Sequence, residues 1–587
     1  MTDVAISPRL DPLSTQGRKA RLVDVAALGC AVMIMLLETV CSVMDQTEMF
    51  ATPITQQIIQ QAAVSGIIRG MVMYVIMRLV FLWADSARDL RTDTNGETKR
   101  WERYVSYALA RRDRTTMQQS IRQRFMPYMA VILVCWIPWI VVCWPGSLRD
   151  DTIAQLMQSS GHHEYFTQHP LFDTLVFGLF WNIGESLGHM IYGLAIYTVV
   201  QAVLFAAGLA FLFCYVRKCG VPRLYMWLGM LFAATNYLVV GAVPTMGKDS
   251  FHTIFFIPAA VIFVETCLTK GAVLRRMPVM ASFVVLLALC IASKRTALVI
   301  VVLALALLLI VAKGNRRNVL VVLISSVVLV QFVWNPISVA VTHAAPFSNR
   351  ETMPFITQPI GRVASQHPDD STAEERQQLS GFMDVDEAGK LYVPYRYDET
   401  VWTYNEQATT ADKINAIKAW AAIGMRNPDE YVKAYSALML DWANLDFSFT
   451  YPTDADYVFT DGYMKQWATW TKTPEESERL LQPLMGTSVK AAWKHDAEQW
   501  VQQFTKHNPF TSVGLYVTCI PLALGWYLLV RRRWVALVAW SFLAWTILSL
   551  YVSPLVLFWY AIPVYLVLPL FGALPFVDEE PCQKKVL

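Results

Sequence analysis

Apolar runs of roughly the length that crosses a bilayer recur through this 587-residue chain, and they limit its possible folds more than any other feature. A hydrocarbon core of about 30 Å requires about 20 residues of apolar helix. Only 16% of the residues are charged, whereas ordinary soluble chains carry about 25%. The runs and the composition together predict an all-α polytopic membrane protein.

The length criterion predicts about twelve transmembrane helices. The apolar runs fall at 23–43, 64–84, 125–144, 189–216, 222–241, 251–269, 278–293, 296–312, 318–335, 511–530, 534–553 and 555–576. The seventh and eighth are short and meet at Lys294-Arg295, which favours a tight hairpin. The stretch 171–183 is too short to span, and we interpret it as a helix lying at the outer membrane interface.

The distribution of lysine and arginine indicates the orientation of these helices. Basic residues end the N-terminal tail and occur in every loop that alternation places inside, above all in the arginine-rich segment 85–124. We therefore expect a multi-pass membrane protein with both termini in the cytoplasm. No basic stripe suggests a nucleic-acid partner, so the predicted surroundings are the lipid bilayer and the cell envelope.

This topology divides the chain into segments of different character. They are a cytoplasmic N-terminus at 1–22, an N-terminal transmembrane hairpin at 23–84, a basic cytoplasmic connector at 85–124, a transmembrane core at 125–335 with an outer loop at 145–188, an exoplasmic soluble domain at 336–509, C-terminal transmembrane helices at 510–576 and a cytoplasmic tail at 577–587. The exoplasmic domain is predicted to be mainly helical, because apolar residues recur at helical spacing after Asn427-Pro428.

Tryptophans in the predicted exoplasmic domain have two interpretations. Indole rings stack on sugar rings, but at helical spacing most of them are expected to pack in the core. The residues concerned are Trp402, Trp420, Trp442, Trp467, Trp470, Trp493 and Trp500.

Two adjacent carboxylates, Asp150 and Asp151, open the outer loop beside a short amphipathic stretch. One aspartate would cap a helix there, but capping does not explain two. A carboxylate is ionised at neutral pH and can act as a general base without a special pKa. His162, His163 and His169 follow in the same loop and match no zinc spacing. Two aspartates with a histidine could hold Mg²⁺ or Mn²⁺, so binding of a divalent cation remains an open alternative.

Two cationic turns lie on the predicted outer side. Lys248-Asp249 either forms a solvated pair or holds a phosphate. Lys294-Arg295 opposes the positive-inside bias, and a cation within the membrane costs about 2.5–3.5 kcal/mol on insertion scales. A lipid phosphate or pyrophosphate is a natural partner, because arginine offers it a planar fork of donors. Contact with lipid headgroups in general is the alternative.

The candidate residues belong to a set of motifs in a fixed order. The motifs are Trp144-Pro145-Gly146, Asp151-Thr152, Gln168-His169-Pro170, Lys248-Asp249, Arg295 and Gln358-Pro359-Ile360-Gly361-Arg362-Val363. Over roughly 130–445 this order resembles a family of bacterial polytopic membrane proteins known by a domain of unknown function. That family is similar to the GT-C class of glycosyltransferases. Lys294-Arg295-Thr296-Ala297 departs from the family's Arg-Asn-Asn-Gly break.

The resemblance implies a protein of the bacterial plasma membrane with a GT-C-like fold, a polyprenyl-phosphate sugar donor and an essential aspartate in the first outer loop. It selects Asp151 over Asp150 as the base, with His169 beside it. The substrate-binding candidates are Lys248, Asp249, Lys294, Arg295, Gln358 and Arg362.

The function expected from this combination is transfer of a sugar to a glycan or protein acceptor of the cell envelope. Two alternatives remain open at this point. One is a lipid or solute transporter or flippase, although transporters place their ionisable residues near the midplane. The other is a non-catalytic protein of envelope assembly.

Overall fold

A computed structural model describes residues 12–87, 100–449, 461–485, 509–553 and 555–578, together with a few positions between 496 and 503. The described residues form helices and no β-strand, which confirms the predicted all-α class. Most of the predicted cytoplasmic tail and the first half of the N-terminus lie outside the described residues.

The helices of the N-terminal half form one bundle. They are α1 (Pro12–Gln46), α2 (Gln56–Ser86), α3 (Arg100–Leu109), α4 (Met117–Val142), α5 (Asp150–Ser159), α6 (Leu171–Ser186), α7 (Ile191–Lys218), α8 (Arg223–Thr235), α9 (Tyr237–Ala242), α10 (Lys248–Leu268), α11 (Met277–Ser293), α12 (Arg295–Val311), α13 (Arg316–Val328) and α14 (Asn335–Thr342). A π-helical turn, Leu329–Trp334, joins α13 to α14 without a break.

The remaining helices form two groups. Those from 354 to 485 belong to the segment that the sequence predicts to be exoplasmic, here called the outer domain, and those from 520 onward complete the bundle. They are α15 (Pro354–Gln366), α16 (Ala373–Ser380), α17 (Val385–Leu391), α18 (Asp398–Val401), α19 (Thr410–Arg426), α20 (Pro428–Met439), α21 (Asp461–Thr469), α22 (Pro474–Met485), α23 (Ile520–Val530), α24 (Trp534–Tyr551) and α25 (Phe558–Phe571). The helix predicted after Asn427-Pro428 is α20, so that prediction is confirmed.

Eight helices in the described part of the chain are long and apolar enough to cross a membrane. They are α1, α2, α4, α7, α10, the continuous α13–α14, α24 and α25. Three further apolar segments, α11, α12 and 515–530, are shorter. The apolar helices indicate a membrane protein, while the total of about twelve spans stays a prediction. Helix α6 has 16 residues, close to the short helix predicted at 171–183.

The predicted span 222–241 is wrong as a single helix, because Asn236 divides it into α8 and α9. The backbone of Asn236 is extended, with φ −61° and ψ 127°. Its side-chain oxygen accepts hydrogen bonds from the amides of Leu238 and Val239, at 3.1 and 3.3 Å. Asparagine is a favoured N-cap because it satisfies amides that the first turn of a helix leaves unpaired.

Polar contacts gather the basic turns of the sequence at one end of the bundle, here called the basic end. The partners there are Arg111 with Asp578, Lys218 with Glu265, Arg275 with Asn315, and Arg531 with Asp85. The first residues of α5, α6, α10, α12 and α25 lie at the opposite end, here called the site end. The arrangement agrees with the grouping of loops derived from charge, although the sidedness of the membrane stays a prediction.

A helix continues past residue 336, where the sequence predicts the start of the exoplasmic domain. Helix α14 continues to Thr342, and His343, with φ +53°, ends it. The domain has a small apolar core of its own, which includes Ile360, Phe382 and Ile423. Its helices α21 and α22 pack on the bundle instead, where Met464 and Leu481 share a buried cluster with α5 and α6.

Glu38 and Asp45 of the N-terminal hairpin form hydrogen bonds with Asn444 and Leu445 of the outer domain, and we call these contacts the hairpin clamp. Asp45 accepts two hydrogen bonds of 3.0 Å from the Asn444 amide. Glu38 accepts one of 3.0 Å from the backbone amide of Leu445 and also pairs with Arg69. The clamp therefore gives the buried Glu38, for which the sequence suggests no role, a structural one.

Candidate functional site

The loop before α5 is tied to the turn before α10. The Thr152 hydroxyl donates a hydrogen bond to the Met246 carbonyl at 2.6 Å, and backbone bonds of 2.8 Å join Ser147 to both sides of that turn. From α7, the Gln201 amide donates to the carbonyls of Val243 and Thr245, at 2.7 and 2.9 Å. These buried bonds bring the first turn of α5 beside the first turn of α10.

Asp151 is the centre of the resulting site. Its Oδ2 lies 2.6 Å from Lys248 Nζ at the start of α10. Its Oδ1 lies 3.7 Å from Nε2 of His169, the residue before the Pro170 cap of α6. The structure thus brings together three predicted site residues that are up to about a hundred positions apart in the chain.

A second ion pair lies next to the first. Lys294 Nζ bonds to Asp249, whose side chain is 1% exposed. The Lys294 ammonium also lies 5.5 Å from the centre of the Tyr560 ring in α25. We call Asp151, His169, Lys248, Asp249 and Lys294 the ionic cluster. It contains two carboxylates, one imidazole and two ammonium groups. The charges of the carboxylates and the ammonium groups cancel, so the cluster has little net charge when no ligand is bound.

Arg295 adds a cation beside the ionic cluster. It is exposed at the first position of α12 and forms no hydrogen bond or ion pair with any residue that the structure describes. Its charge acts on His169, which places the guanidinium near the cluster. An arginine without an anionic partner at the end of apolar helices is free to bind an anion from outside the chain.

Five helix N-termini converge on this site. Those of α5, α6, α10 and α12 carry Asp151, Pro170, Lys248 and Arg295. That of α25 contacts the site because its Phe558 ring lies 4.7 Å from the Arg149 guanidinium. Each N-terminus carries a partial positive charge and amides without helical partners, an arrangement that favours phosphate and other anions.

Burial and charge set the protonation states of the two outer-loop residues. Burial acts to raise the pKa of Asp151, but the Lys248 ammonium opposes it and holds the pKa below its ordinary value. Burial lowers the pKa of His169 to about 4, against the attraction of Asp151. At neutral pH the site therefore holds an ionised aspartate beside a neutral imidazole.

Asp173 is a site residue that sequence reasoning missed. It lies one turn after His169 in α6, is completely buried, and neither carboxylate oxygen has a hydrogen-bond partner. Burial raises its pKa well above the ordinary value, against the opposing charge of Lys248. Burial thus favours the neutral form of this carboxyl. A lone acid inside an apolar helix is a signal of function that the sequence does contain.

Tyr397 brings the outer domain to the site. The charges of Glu351 and Lys248 act on its hydroxyl, so Tyr397 is within electrostatic range of the start of α10. Gln168, next to His169, donates a hydrogen bond of 2.7 Å to Glu351. Neither Tyr397 nor Glu351 carries a motif that would single it out in the sequence.

Two candidate histidines of the loop, His162 and His163, contact the outer domain rather than the cluster. Asp150 opens α5, but its side chain lies outside the described residues. His162 Nδ1 lies 3.0 Å from the Thr473 hydroxyl, and the His163 ring stacks on Trp470 at 3.9 Å. The histidine pair thus fastens the loop to the outer domain. No group of three metal-binding side chains occurs among the described residues.

The structure places Gln358 and Arg362 inside the outer domain. The Gln358 side-chain oxygen accepts a hydrogen bond of 2.7 Å from Thr400. Arg362 donates hydrogen bonds to Glu430 at 2.6 Å and to the Phe50 carbonyl at 2.7 Å. It therefore also joins the outer domain to the N-terminal hairpin, beside the hairpin clamp. Both side chains are held by the protein itself, and the structure does not bring them into the ionic cluster.

Comparison with curated proteins found no match, and comparison with solved structures found none either. A sequence model of DUF6020, a family of unknown function, matches residues 161–585. The match includes His169, Lys248, Asp249, Lys294 and Arg295 and begins after Asp151. The chain therefore belongs to the DUF6020 family.

Proposed function

We propose that this protein is a membrane glycosyltransferase that moves a sugar from a polyprenyl-phosphate donor to a cell-envelope acceptor at the outer face. The convergence of five helix N-termini with an unpaired Arg295 at the end of apolar helices carries the proposal. Such a place suits a ligand with a charged head and a long apolar tail.

The donor phosphate binds at Arg295, with Lys248 and Lys294 close by. Arginine grips phosphate through paired N–H donors, and the helix N-termini add amides with the same polarity. The lipid tail then lies along the apolar helices while the sugar points toward the outer domain. Charges at helix ends, rather than at the middle of the spans, distinguish this arrangement from that of transporters.

Asp151 is the base in this proposal. The acceptor hydroxyl oxygen attacks the anomeric carbon, and the bond from that carbon to the phosphate oxygen breaks. The phosphate leaves with the bonding electrons, Asp151 takes the hydroxyl proton, and the anomeric configuration inverts. His169 is neutral at neutral pH, because burial lowers its pKa to about 4, and it lies 3.7 Å from the Asp151 carboxylate, which it positions.

The pairing of Asp151 with Lys248 couples donor binding to base strength. At 2.6 Å from the ammonium, the carboxylate is stabilised and is therefore a weak base. A donor phosphate competes for the same ammonium and weakens that pairing. The base thus becomes stronger when the phosphate occupies the site, which limits proton transfer in its absence.

The test is release of polyprenyl phosphate by the full chain in lipid nanodiscs. The donors are a panel of synthetic polyprenyl-phosphate hexoses and pentoses, and an envelope fraction from cells lacking the protein supplies the acceptor. Asp151→Asn is expected to lower the rate by about 10²–10⁴, the usual contribution of a general base. Asp150→Asn is expected to have the smaller effect.

Glu265→Gln is the matched control, because Glu265 also lies 2.6 Å from a lysine, Lys218, but at the basic end. It should leave the rate unchanged. The proposal is overturned if no donor of the panel is consumed, or if Asp150→Asn lowers the rate more than Asp151→Asn does.

A further inference from the structure

Trp402 is a strongly exposed tryptophan of the outer domain. It follows the last residue of α18, and 64% of its surface is exposed. The Arg350 guanidinium lies over the indole at 3.7 Å from the ring centre. Since the guanidinium covers one face of the ring, the exposed area belongs to the other face and its edges.

Neighbouring side chains hold this indole and its guanidinium in place. Arg350 is largely buried, with 18% of its side chain exposed, and it lies 3.5 Å from the Glu406 carboxylate. The Phe347 ring lies 5.3 Å from the same guanidinium. We call Trp402 with Arg350 the Trp402 platform. A rigid aromatic face loses little conformational entropy when a ligand stacks on it.

Carboxylates border the platform. Glu406 is half exposed beside Arg350, and Glu351, next in the chain, is also exposed. A flat apolar face with hydrogen-bond acceptors at its edge matches a sugar ring, whose C–H groups lie on the face and whose hydroxyls point outward. We propose that the Trp402 platform is a carbohydrate subsite that holds a pyranose ring of the acceptor.

The platform adjoins the reactive site. Glu351 accepts the 2.7 Å hydrogen bond from Gln168, whose chain neighbour His169 lies 3.7 Å from Asp151. Tyr397, five positions before Trp402 in the chain, is close enough to Lys248 for its charge to act on the hydroxyl. These contacts connect the platform to the ionic cluster through Arg350, Glu351 and Gln168. This assignment of the acceptor rests on the proposed function.

A lipid headgroup is the other ligand that an exposed tryptophan and an arginine suggest. The surroundings favour the sugar, because the Arg350 guanidinium lies over the indole and contacts the Glu406 carboxylate. The carboxylates of Glu406 and of the next residue in the chain after Arg350, Glu351, also repel the anionic headgroups that attract basic side chains.

The test is binding of a defined panel of neutral sugars to the full chain in lipid nanodiscs. The panel comprises methyl glycosides and disaccharides of hexoses and N-acetylhexosamines, and saturation-transfer NMR measures their affinity. The wild type is expected to bind at least one member. Trp402→Ala should weaken that binding by about tenfold or more, whereas Trp402→Phe keeps an aromatic face and should stay within about threefold.

Trp534→Ala is the matched control, since Trp534 is 55% exposed but begins α24 at the basic end. It should bind the sugars as the wild type does. The inference is overturned if no member of the panel binds, or if Trp402→Ala binds them as tightly as the wild type. It is also overturned if Trp402→Ala loses affinity only for vesicles that contain phosphatidylglycerol.

A further variant separates this inference from the proposed function. Asp151→Asn should bind the sugars as the wild type does while it loses release of polyprenyl phosphate. If the sugars bind at Trp402 but no donor is ever consumed, the glycosyltransferase proposal fails and the carbohydrate subsite stands. If the donor is consumed and Trp402→Ala changes nothing, only the subsite fails.

Discussion

The carboxyl group of Asp173 titrates differently in the folded and unfolded chains. In the folded chain burial raises its pKa well above the ordinary value, whereas in the unfolded chain it is about 3.9. The folded state therefore binds more protons over that range, and stability falls as the pH rises from about 4 toward the folded pKa. We predict that Asp173→Asn, which resembles the neutral acid, removes this loss.

The measurement is the apparent unfolding temperature in detergent between about pH 5 and about pH 8. The wild type should lose more stability across that range than Asp173→Asn does. Asp386→Asn is the control, because that carboxylate is 72% exposed. A difference between wild type and Asp173→Asn that is independent of pH would contradict a protonated Asp173.

Single residues of the site differ in how far the sequence reveals them. The sequence predicts that distant polar residues share one outer site. The structure brings Asp151, Lys248 and His169 together, while their role and the side of the membrane stay predictions. Their direct ion pair, and the bond between Lys294 and Asp249, were not predictable, because a phosphate was expected as the partner of the cations. Asp173 was overlooked because the stretch around it was interpreted as uniformly apolar.

At the scale of elements, the break between α8 and α9 positions the start of α10. The Asn236 side chain is 9% exposed and satisfies two amides of α9. We predict that Asn236→Ala lowers the free energy of unfolding by about 1 kcal/mol, within the range for loss of an N-cap. Thermal unfolding in detergent measures the change.

Asn236→Ser tests whether capping is the cause. A serine oxygen can accept the same amide bonds, so this variant should recover most of the stability that alanine loses. If alanine and serine are equally stable, the break in the helix does not depend on the cap.

Hydropathy predicts helices well because the apolar length needed to cross a bilayer is nearly constant. It accounts for α1, α2, α7 and α24, for example, near their predicted positions. It does not predict where a helix breaks within an apolar run. A single Asn236 among apolar residues changes the mean hydropathy little, yet its side chain replaces two backbone hydrogen bonds.

At the scale of the whole molecule, Arg362 links the outer domain to the N-terminal hairpin. It is 2% exposed and pairs with Glu430, itself 6% exposed. We predict that Arg362→Met lowers the free energy of unfolding by about 3 kcal/mol, the lower end of the range for breaking a buried pair, because Lys433 still contacts Glu430. Chemical denaturation of the purified protein measures the loss.

Arg396→Met provides the comparison, since Arg396 and Asp398 form a pair with side chains 48% and 34% exposed. An exposed pair of this kind is worth about 1 kcal/mol or less. Equal losses for the two variants would show that Arg362 does not hold the two parts together.

The sequence anticipates a helical outer domain but not the hairpin clamp. Helical periodicity is a local signal, and it is visible after Asn427-Pro428. The clamp joins Asp45 to Asn444 across 399 positions, and no spacing in the sequence marks such a contact. For the same reason Arg362 was assigned to substrate from the resemblance alone, whereas the structure shows it bound to Glu430 and to a backbone carbonyl.

The hairpin clamp has a consequence for biogenesis. A nascent chain inserts α1 and α2 long before the ribosome has made Asn444 and Leu445. During that time Glu38 and Asp45 lack these two hydrogen-bond partners. Closing so long a loop carries an entropic cost, although that cost grows only slowly with length. The hairpin therefore completes its polar contacts only late in synthesis, after residues 444 and 445 have been made.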